Sequence, residues 1–375
     1  MLDNKNILLI LLVLSLLLSL ITVFVVAEGG IPAVSAKSSV LYEPVTKSFL
    51  YEKNADTRLP MASTTKIMTA LLAIERLDLD EVVVIPKEAT GLEGSSIYLN
   101  ENDEIKVCDL IYSVLLQSAN DAATALAIKI SGDTKTFADE MNKRAKQLGL
   151  NDTSFENPHG LDSQNHYTTA HDLAVIASEA LSNDVFKEIC STYKHSFYIS
   201  EAPRTVVNHN KMLKKYKGAN GVKTGYTDRS GRCLVSSAER DGITMIAVTL
   251  NASDDWNDHK RLLDFGFERF EPVYLHDLAP TEYKIPVENG KDLIVDVRLQ
   301  NDCITIPHDK AKSNLSTEII LPTSLTAPIE KNSTVGRVDV KQDDRTIASF
   351  PLITVQNVKA EKSGFNLFDF FKDIF

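Results

Sequence analysis

The stretch Pro60-Met61-Ala62-Ser63-Thr64-Thr65-Lys66-Ile67-Met68-Thr69-Ala70-Leu71-Leu72-Ala73-Ile74-Glu75 decides how this 375-residue chain is read. Ile67, Leu71, Leu72 and Ile74 recur at helical spacing, which predicts a helix over 62–75. A serine and a lysine three positions apart at the start of such a helix share one face, one turn from each other. A serine hydroxyl is a weak nucleophile until a base takes its proton. A lysine serves as that base only when neutral, a state favoured by burial and by a second cation nearby. Ser63 is therefore the candidate nucleophile and Lys66 the candidate base. The helix N-terminus also favours negative charge at the serine.

Ser-x-x-Lys alone does not single out Ser63, because Ser191-Thr192-Tyr193-Lys194 repeats it. Context separates the two. Ser191 precedes Tyr193, Phe197, Tyr198 and Ile199, which read as strand rather than helix. Two partner motifs follow Ser63 in order. Ser118-Ala119-Asn120 lies between helical stretches at 109–117 and 121–130, while Ser163-Gln164-Asn165, of the same spacing, lies in a polar loop. Lys223-Thr224-Gly225 falls on an expected strand, while Lys362-Ser363-Gly364 falls in the tail.

These types suit acyl transfer. Ser118 can relay a proton to a leaving amine, and Asn120 can bond Lys66 or a substrate carbonyl. Lys223 and Thr224 offer a charge and a hydroxyl to a terminal carboxylate, and Lys223 is the second cation that Lys66 needs. Gly225 lets a substrate backbone approach the strand edge beside Tyr226. The amides of Ser63 and Tyr226 are the candidate oxyanion donors. The substrate-binding set is thus Asn120, Lys223, Thr224, Gly225 and Tyr226, with no metal and no cofactor.

The rest of the chain frames this site. Alternating runs around Asp241-Gly242 predict a hairpin, and a further helix is expected over 135–148, ended by Gly149. Strands and helices do not alternate strictly, which favours a mixed α+β fold: an antiparallel sheet with a helical cluster over 37–272. From Tyr283 onward period-two alternation takes over, as in Leu293, Val295, Val297 and Leu299 after the Asn289-Gly290 turn. This predicts a small all-β domain over 273–357. Lys5, the uncharged run from Ile7 to Val26 and small-residue sites at Ala27 and Ala36 read as an export signal over 1–36, cleaved or retained as an anchor. In the segment 358–375, Leu367, Phe368, Phe370, Phe371, Ile374 and Phe375 fall on one helical face, which suggests attachment to a membrane surface. The net charge of −11, with no basic cluster, argues against nucleic-acid binding. Cys108, Cys190, Cys233 and Cys303 form no Cys-x-x-Cys pair, which leaves zinc and redox motifs unsupported and disulfide pairing open.

Ser-x-x-Lys, Ser-x-Asn and Lys-Thr-Gly together mark serine β-lactamases and penicillin-binding proteins. The chain resembles the low-molecular-mass penicillin-binding proteins, the serine D-Ala-D-Ala carboxypeptidases. Beyond the trio, Glu93-Gly94-Ser95-Ser96, Asn157-Pro158-His159-Gly160-Leu161 and Gly221-Val222-Lys223-Thr224-Gly225-Tyr226-Thr227 are similar to that family's segments, and so is the two-domain layout with an amphipathic tail. The resemblance implies a penicillin-binding fold at the outer face of the bacterial cytoplasmic membrane. It implies removal of the terminal D-alanine from peptidoglycan pentapeptides through an acyl-enzyme on Ser63, with acylation by β-lactams. Ala119 departs from the glycine common at the middle of Ser-x-Asn, a change small enough to be tolerated.

Three rival readings are weaker. A class A β-lactamase needs a deacylating Glu-x-x-x-Asn, but Glu156 is followed four positions later by Gly160. A zinc peptidase would draw on Glu156, His159, His166 and His171, but it needs a histidine ahead of the glutamate and His159 is the chain's first. A penicillin sensor would tolerate a degenerate site, and all three motifs are intact here.

Overall fold

The structure is a computed structural model that describes residues 30–307 and 314–361. The expected amphipathic helix over 365–375 and nearly all of the expected export signal lie outside these residues.

The N-terminal domain is built on one antiparallel sheet. Its strands are β1 (Ser38–Glu43), β2 (Ser48–Lys53), β7 (Ala219–Thr227), β8 (Gly231–Arg240) and β9 (Ile243–Ala252), in the order β2-β1-β9-β8-β7, while outside it β3 (Val82–Val84) pairs with β4 (Glu104–Lys106) and β5 (Lys194–Ile199) with β6 (Ala202–Val207). The hairpin at Asp241-Gly242 joins β8 to β9. Alternation along the strands feeds two separate cores. Val40, Tyr42, Ile246, Val248 and Leu250 face the helical side. Leu41, Met245 and Ala247 face the opposite side, against the helix Asp255–Arg269. Gly266 of that helix lies so close that an added Cβ would come within 2.8 Å of Leu41.

The helical side holds α1 (Lys66–Arg76), α2 (Val107–Tyr112), α3 (Asn120–Ser131), α4 (Thr134–Gln147), α5 (Ala170–Leu181) and α6 (Asp184–Ser191). Two details differ from the sequence expectation. The helix expected over 62–75 starts as one tight 3-10 turn, Ala62–Thr65, which places Ser63 before the α-helix proper. The helix expected over 109–117 starts at Val107 and finishes as a π-helical turn, Ser113–Gln117. That wider turn delivers Ser118 in the left-handed region at φ 63°. Ser191 ends α6, and the strand begins only at Lys194.

The helix after β9 runs directly into the strand Phe270–Tyr274, across the boundary expected at 272/273. Beyond it lies an all-β domain. Its main sheet has six strands, in spatial order Leu315–Ile320, Thr334–Gln342, Arg345–Thr354, Ile294–Leu299, Glu282–Glu288 and Leu325–Thr326. Val295, Val297, Val338, Val340, Phe350 and Leu352 fill its own core. It meets the first domain at the β8–β9 turn, where the Tyr274 hydroxyl donates to the Asp241 carbonyl at 3.1 Å and Cys303 packs on Gly242. Among the described residues all four cysteines are unpaired, with Cys190, Cys233 and Cys303 buried.

Candidate active site

The site is assembled where the Ala62–Thr65 turn meets the edge strand β7 and the start of α3. Ser63 stays partly exposed, while Thr64, Thr65 and Lys66 are buried. The Lys66 Nζ lies 3.1 Å from Ser63 Oγ and donates to Asn120 Oδ1 at 2.7 Å and to the His159 carbonyl at 2.6 Å. Its side chain is fully buried. Burial, and then the nearby Lys223, hold its pKa well below that of an ordinary lysine. The neutral amine is thus the form this pocket favours, with a lone pair available to the Ser63 proton.

Each ligand of Lys66 is itself held. Asn120 turns its Nδ2 to the Glu93 carbonyl at 2.6 Å, so both ends of its amide are bound to the protein. The neighbouring Asp121 accepts from the amides of Ile97 and Leu99 and pins the 93–100 loop to α3. The 156–161 segment is laced under the nucleophile turn. Thr69 Oγ1 donates to the Pro158 carbonyl at 2.6 Å. An added Cβ on Gly160, at φ +89°, would meet the Ala62 carbonyl oxygen at 1.9 Å, so only glycine fits. His166 Nδ1 accepts from the Glu156 amide at 3.0 Å, which leaves its Nε2–H to donate to Thr65 Oγ1 at 2.7 Å. Burial lowers its pKa to about 4, so it serves as a neutral strut.

The open cleft has a volume of about 410 Å³ and is lined by Ser63, Ser118, Thr224, Gly225 and Tyr226. Lys223 lies beneath it, almost fully buried, with its Nζ donating to the Thr224 carbonyl at 2.7 Å. Burial brings its pKa down to about 7. Gly225 proves to serve the nucleophile turn as well as the strand edge. A Cβ there would stand 2.9 Å from the Ser63 amide nitrogen, so its absence lets β7 approach that turn. Tyr226 stands 63% exposed at the rim, its hydroxyl donating to Asp228.

The structure therefore gathers Ser63, Lys66, Ser118, Asn120, Lys223, Thr224, Gly225 and Tyr226 around one cleft. It adds cleft residues that sequence reasoning missed: Ser95, His209, Lys211, Arg232, Asp255 and Trp256. Arg232 reaches Asp255 at 3.5 Å across the cleft wall. The carbonyl ligands on Glu93 and His159 carry no residue-type signal, although the segments that hold them stood out by their motifs. Of the rival site residues, His159 and His166 brace the nucleophile turn, while Glu156 and His171 are engaged elsewhere. Glu156 is bound by Ser163 and Asn165, and His171 contacts Glu52 and Asp56 at the surface.

Comparison with known proteins agrees with this site. Residues 25–254 match the family described as Peptidase S11, D-alanyl-D-alanine carboxypeptidase. Residues 270–360 match the C-terminal domain of penicillin-binding protein 5. The chain is 35% identical to D-alanyl-D-alanine carboxypeptidase DacF of Bacillus subtilis, over 89% of this chain and 88% of that protein. It is 34% identical to DacC of Escherichia coli, over 89% and 86%. Among solved structures, penicillin binding protein 5 from Haemophilus influenzae aligns with a TM-score of 0.65 at 30% identity, over 88% of this chain and 98% of that one. The Streptomyces K15 DD-transpeptidase aligns with a TM-score of 0.61 at 33% identity, over 64% and 99%. Family match and nearly full-length relatives agree with the buried lysine beside a serine, and the chain belongs to the serine D-alanyl-D-alanine carboxypeptidases of the peptidase S11 family.

Proposed function

We propose that this protein releases the terminal D-alanine of peptidoglycan pentapeptides through an acyl-enzyme on Ser63. The observation that carries this reading is the buried Lys66 Nζ, 3.1 Å from Ser63 Oγ and biased toward its neutral form. Lys66 takes the Ser63 proton as Oγ attacks the carbonyl of the penultimate D-alanine. The amides of Ser63 and Tyr226 receive the charge that develops on the carbonyl oxygen. Ser118, on the cleft wall, passes a proton to the departing amine, and D-alanine leaves. Water then hydrolyses the ester and the proton returns through Lys66. Asn120 fixes Lys66 in place, while Thr224 and Lys223 receive the terminal carboxylate. Gly225 and Tyr226 hold the substrate backbone along β7. A β-lactam presents an equivalent acyl carbonyl to Ser63 and acylates it.

Action on peptidoglycan sets the enzyme outside the cytoplasm. We place it more finely at the outer face of the bacterial cytoplasmic membrane, delivered by the 1–36 segment and held by the amphipathic tail over 365–375. Among the described residues no helix is long and apolar enough to cross a membrane.

The test is turnover of a D-Ala-D-Ala peptide together with labelling by a fluorescent penicillin. The wild-type protein releases D-alanine and is labelled. Ser63→Ala loses both, whereas Ser191→Ala keeps both. Labelling without D-alanine release would reduce the protein to a sensor, and labelling that survives Ser63→Ala would place the nucleophile elsewhere.

A further inference from the structure

The β domain carries an apolar tip at the point where the chain leaves the described residues. The strand Glu282–Glu288 and its partner Ile294–Leu299 form a hairpin with two distinct ends. One end adjoins the first domain: Asn301, two residues past Leu299, shares a groove with Pro44, Val45 and Thr244. The other end, over 289–293, lies a strand length away, about 20 Å at ~3.3 Å per residue. At that far end the Lys291 amide donates to the Lys359 carbonyl at 2.9 Å and the Glu361 amide to the Asn289 carbonyl at 2.8 Å. Glu361, the last described residue, therefore lies at this tip, and the tail follows it in the sequence.

The tip is not built like an ordinary solvent-exposed turn. Leu293 is 77% exposed and Ile294 51% exposed. Leu293 is the one leucine among the described residues that is left exposed. Around them Lys291 and Lys359 are offset by Asp292 and Glu361, so the patch has little net charge with which to recruit a charged partner. The catalytic cleft lies at the end of the first domain that is away from the β domain. Arg232 marks the cleft end of β8, and Asp241, one strand length further, marks the end that meets the β domain.

We infer that the 289–294 tip, through Leu293 and Ile294, is a second membrane-contact surface that rests on the lipid interface beside the tail. The inference rests on the proposed attachment of the tail to the membrane. Two apolar side chains on a hairpin tip next to the start of the tail add hydrophobic transfer energy and fix an orientation. The cleft then faces away from the bilayer, toward the peptidoglycan.

The test is flotation of the full chain with vesicles of phosphatidylethanolamine and phosphatidylglycerol. It is compared with Leu293→Ser/Ile294→Ser at the tip and Phe368→Ser/Phe371→Ser in the tail. The tip pair is expected to lower vesicle partition on the order of tenfold, because two buried aliphatic side chains are lost. That loss changes little with salt, and D-alanine release in solution is unchanged. Leu293→Trp keeps wild-type flotation and shows an emission blue shift on vesicle addition beyond that of the unaltered chain. A tip pair that floats like the wild type overturns the inference, even where the tail pair fails to float. An unaltered chain that does not float overturns both membrane readings and leaves D-alanine release to test the enzyme separately. Blue-shifted Leu293→Trp emission before vesicles are added means that the tail or a second copy covers the patch, and also overturns the inference.

Discussion

Lys66 is the residue on which the chemistry turns, and its pocket explains why a lysine and no other cation suits it. It makes three hydrogen bonds, to one side-chain hydroxyl, one amide oxygen and one backbone carbonyl, and has no carboxylate partner among them. A carboxylate would stabilise the ammonium and remove the base. Asp121 does pull weakly in that direction, but burial and Lys223 outweigh it. Lys66→Gln keeps two donors for Asn120 and His159 and removes the base. Its rate of acylation by benzylpenicillin is expected to fall about 10²- to 10⁴-fold, the usual contribution of a positioned base. Its thermal midpoint is expected to stay near that of the wild type. Near-wild-type acylation would mean that another group takes the Ser63 proton. The paired motifs made Ser63, Lys66 and Lys223 legible in the sequence, because spacing and residue type carry the chemistry there. Arg232 and Asp255 were not legible, since a lone arginine on a strand and an aspartate at a helix start are common on any surface.

At the scale of elements, burial decided what could be read. The hairpin at Asp241-Gly242 and the apolar periodicity of α1 were plain because turn chemistry and period leave local marks. The π turn at Ser113–Gln117 was not, because its apolar residues fit an α-helix equally well. The helix Asp255–Arg269 was also missed, although its acidic first turn is a helix-start mark, and it covers one whole face of the sheet. That helix carries a second expectation. His259 is fully buried between Ser236 and Thr249, and burial lowers its pKa from 6.5 to about 3. Between about 3 and 6.5 the unfolded chain binds a proton there that the folded chain refuses. Stability from this group is therefore fully present above the unfolded value and is lost as pH falls through that window, by at most about 1.4 kcal/mol per pH unit. His159 and His166, both shifted downward by burial, act in the same direction. In urea unfolding from pH 7 to 4, His259→Gln should show a shallower decline of midpoint than the wild type. Parallel declines would show that His259 is protonated in the folded protein.

For the whole molecule, the cleft is built by the first domain alone. Every residue that lines the cleft lies between Ser63 and Trp256. The β domain contributes none of them, and it attaches at the turn end of β8 and β9, about a ten-residue strand from Arg232. Perturbations separated by more than ~10 Å without shared partners act nearly independently. The Streptomyces K15 structure is consistent with this separation, since 64% of this chain covers 99% of it. A chain ending at Arg269 should therefore fold and acylate with benzylpenicillin within about threefold of the full-length rate. Its thermal midpoint should drop, because the contacts of Val45 with the β-domain core and of Gly242 with Cys303 are lost. Stopped-flow acylation beside thermal unfolding separates the two effects. A large loss of acylation in a chain that still unfolds cooperatively would mean that the β domain holds the cleft in shape. An unchanged rate with a lowered midpoint would mean that the β domain adds stability and takes no part in the chemistry.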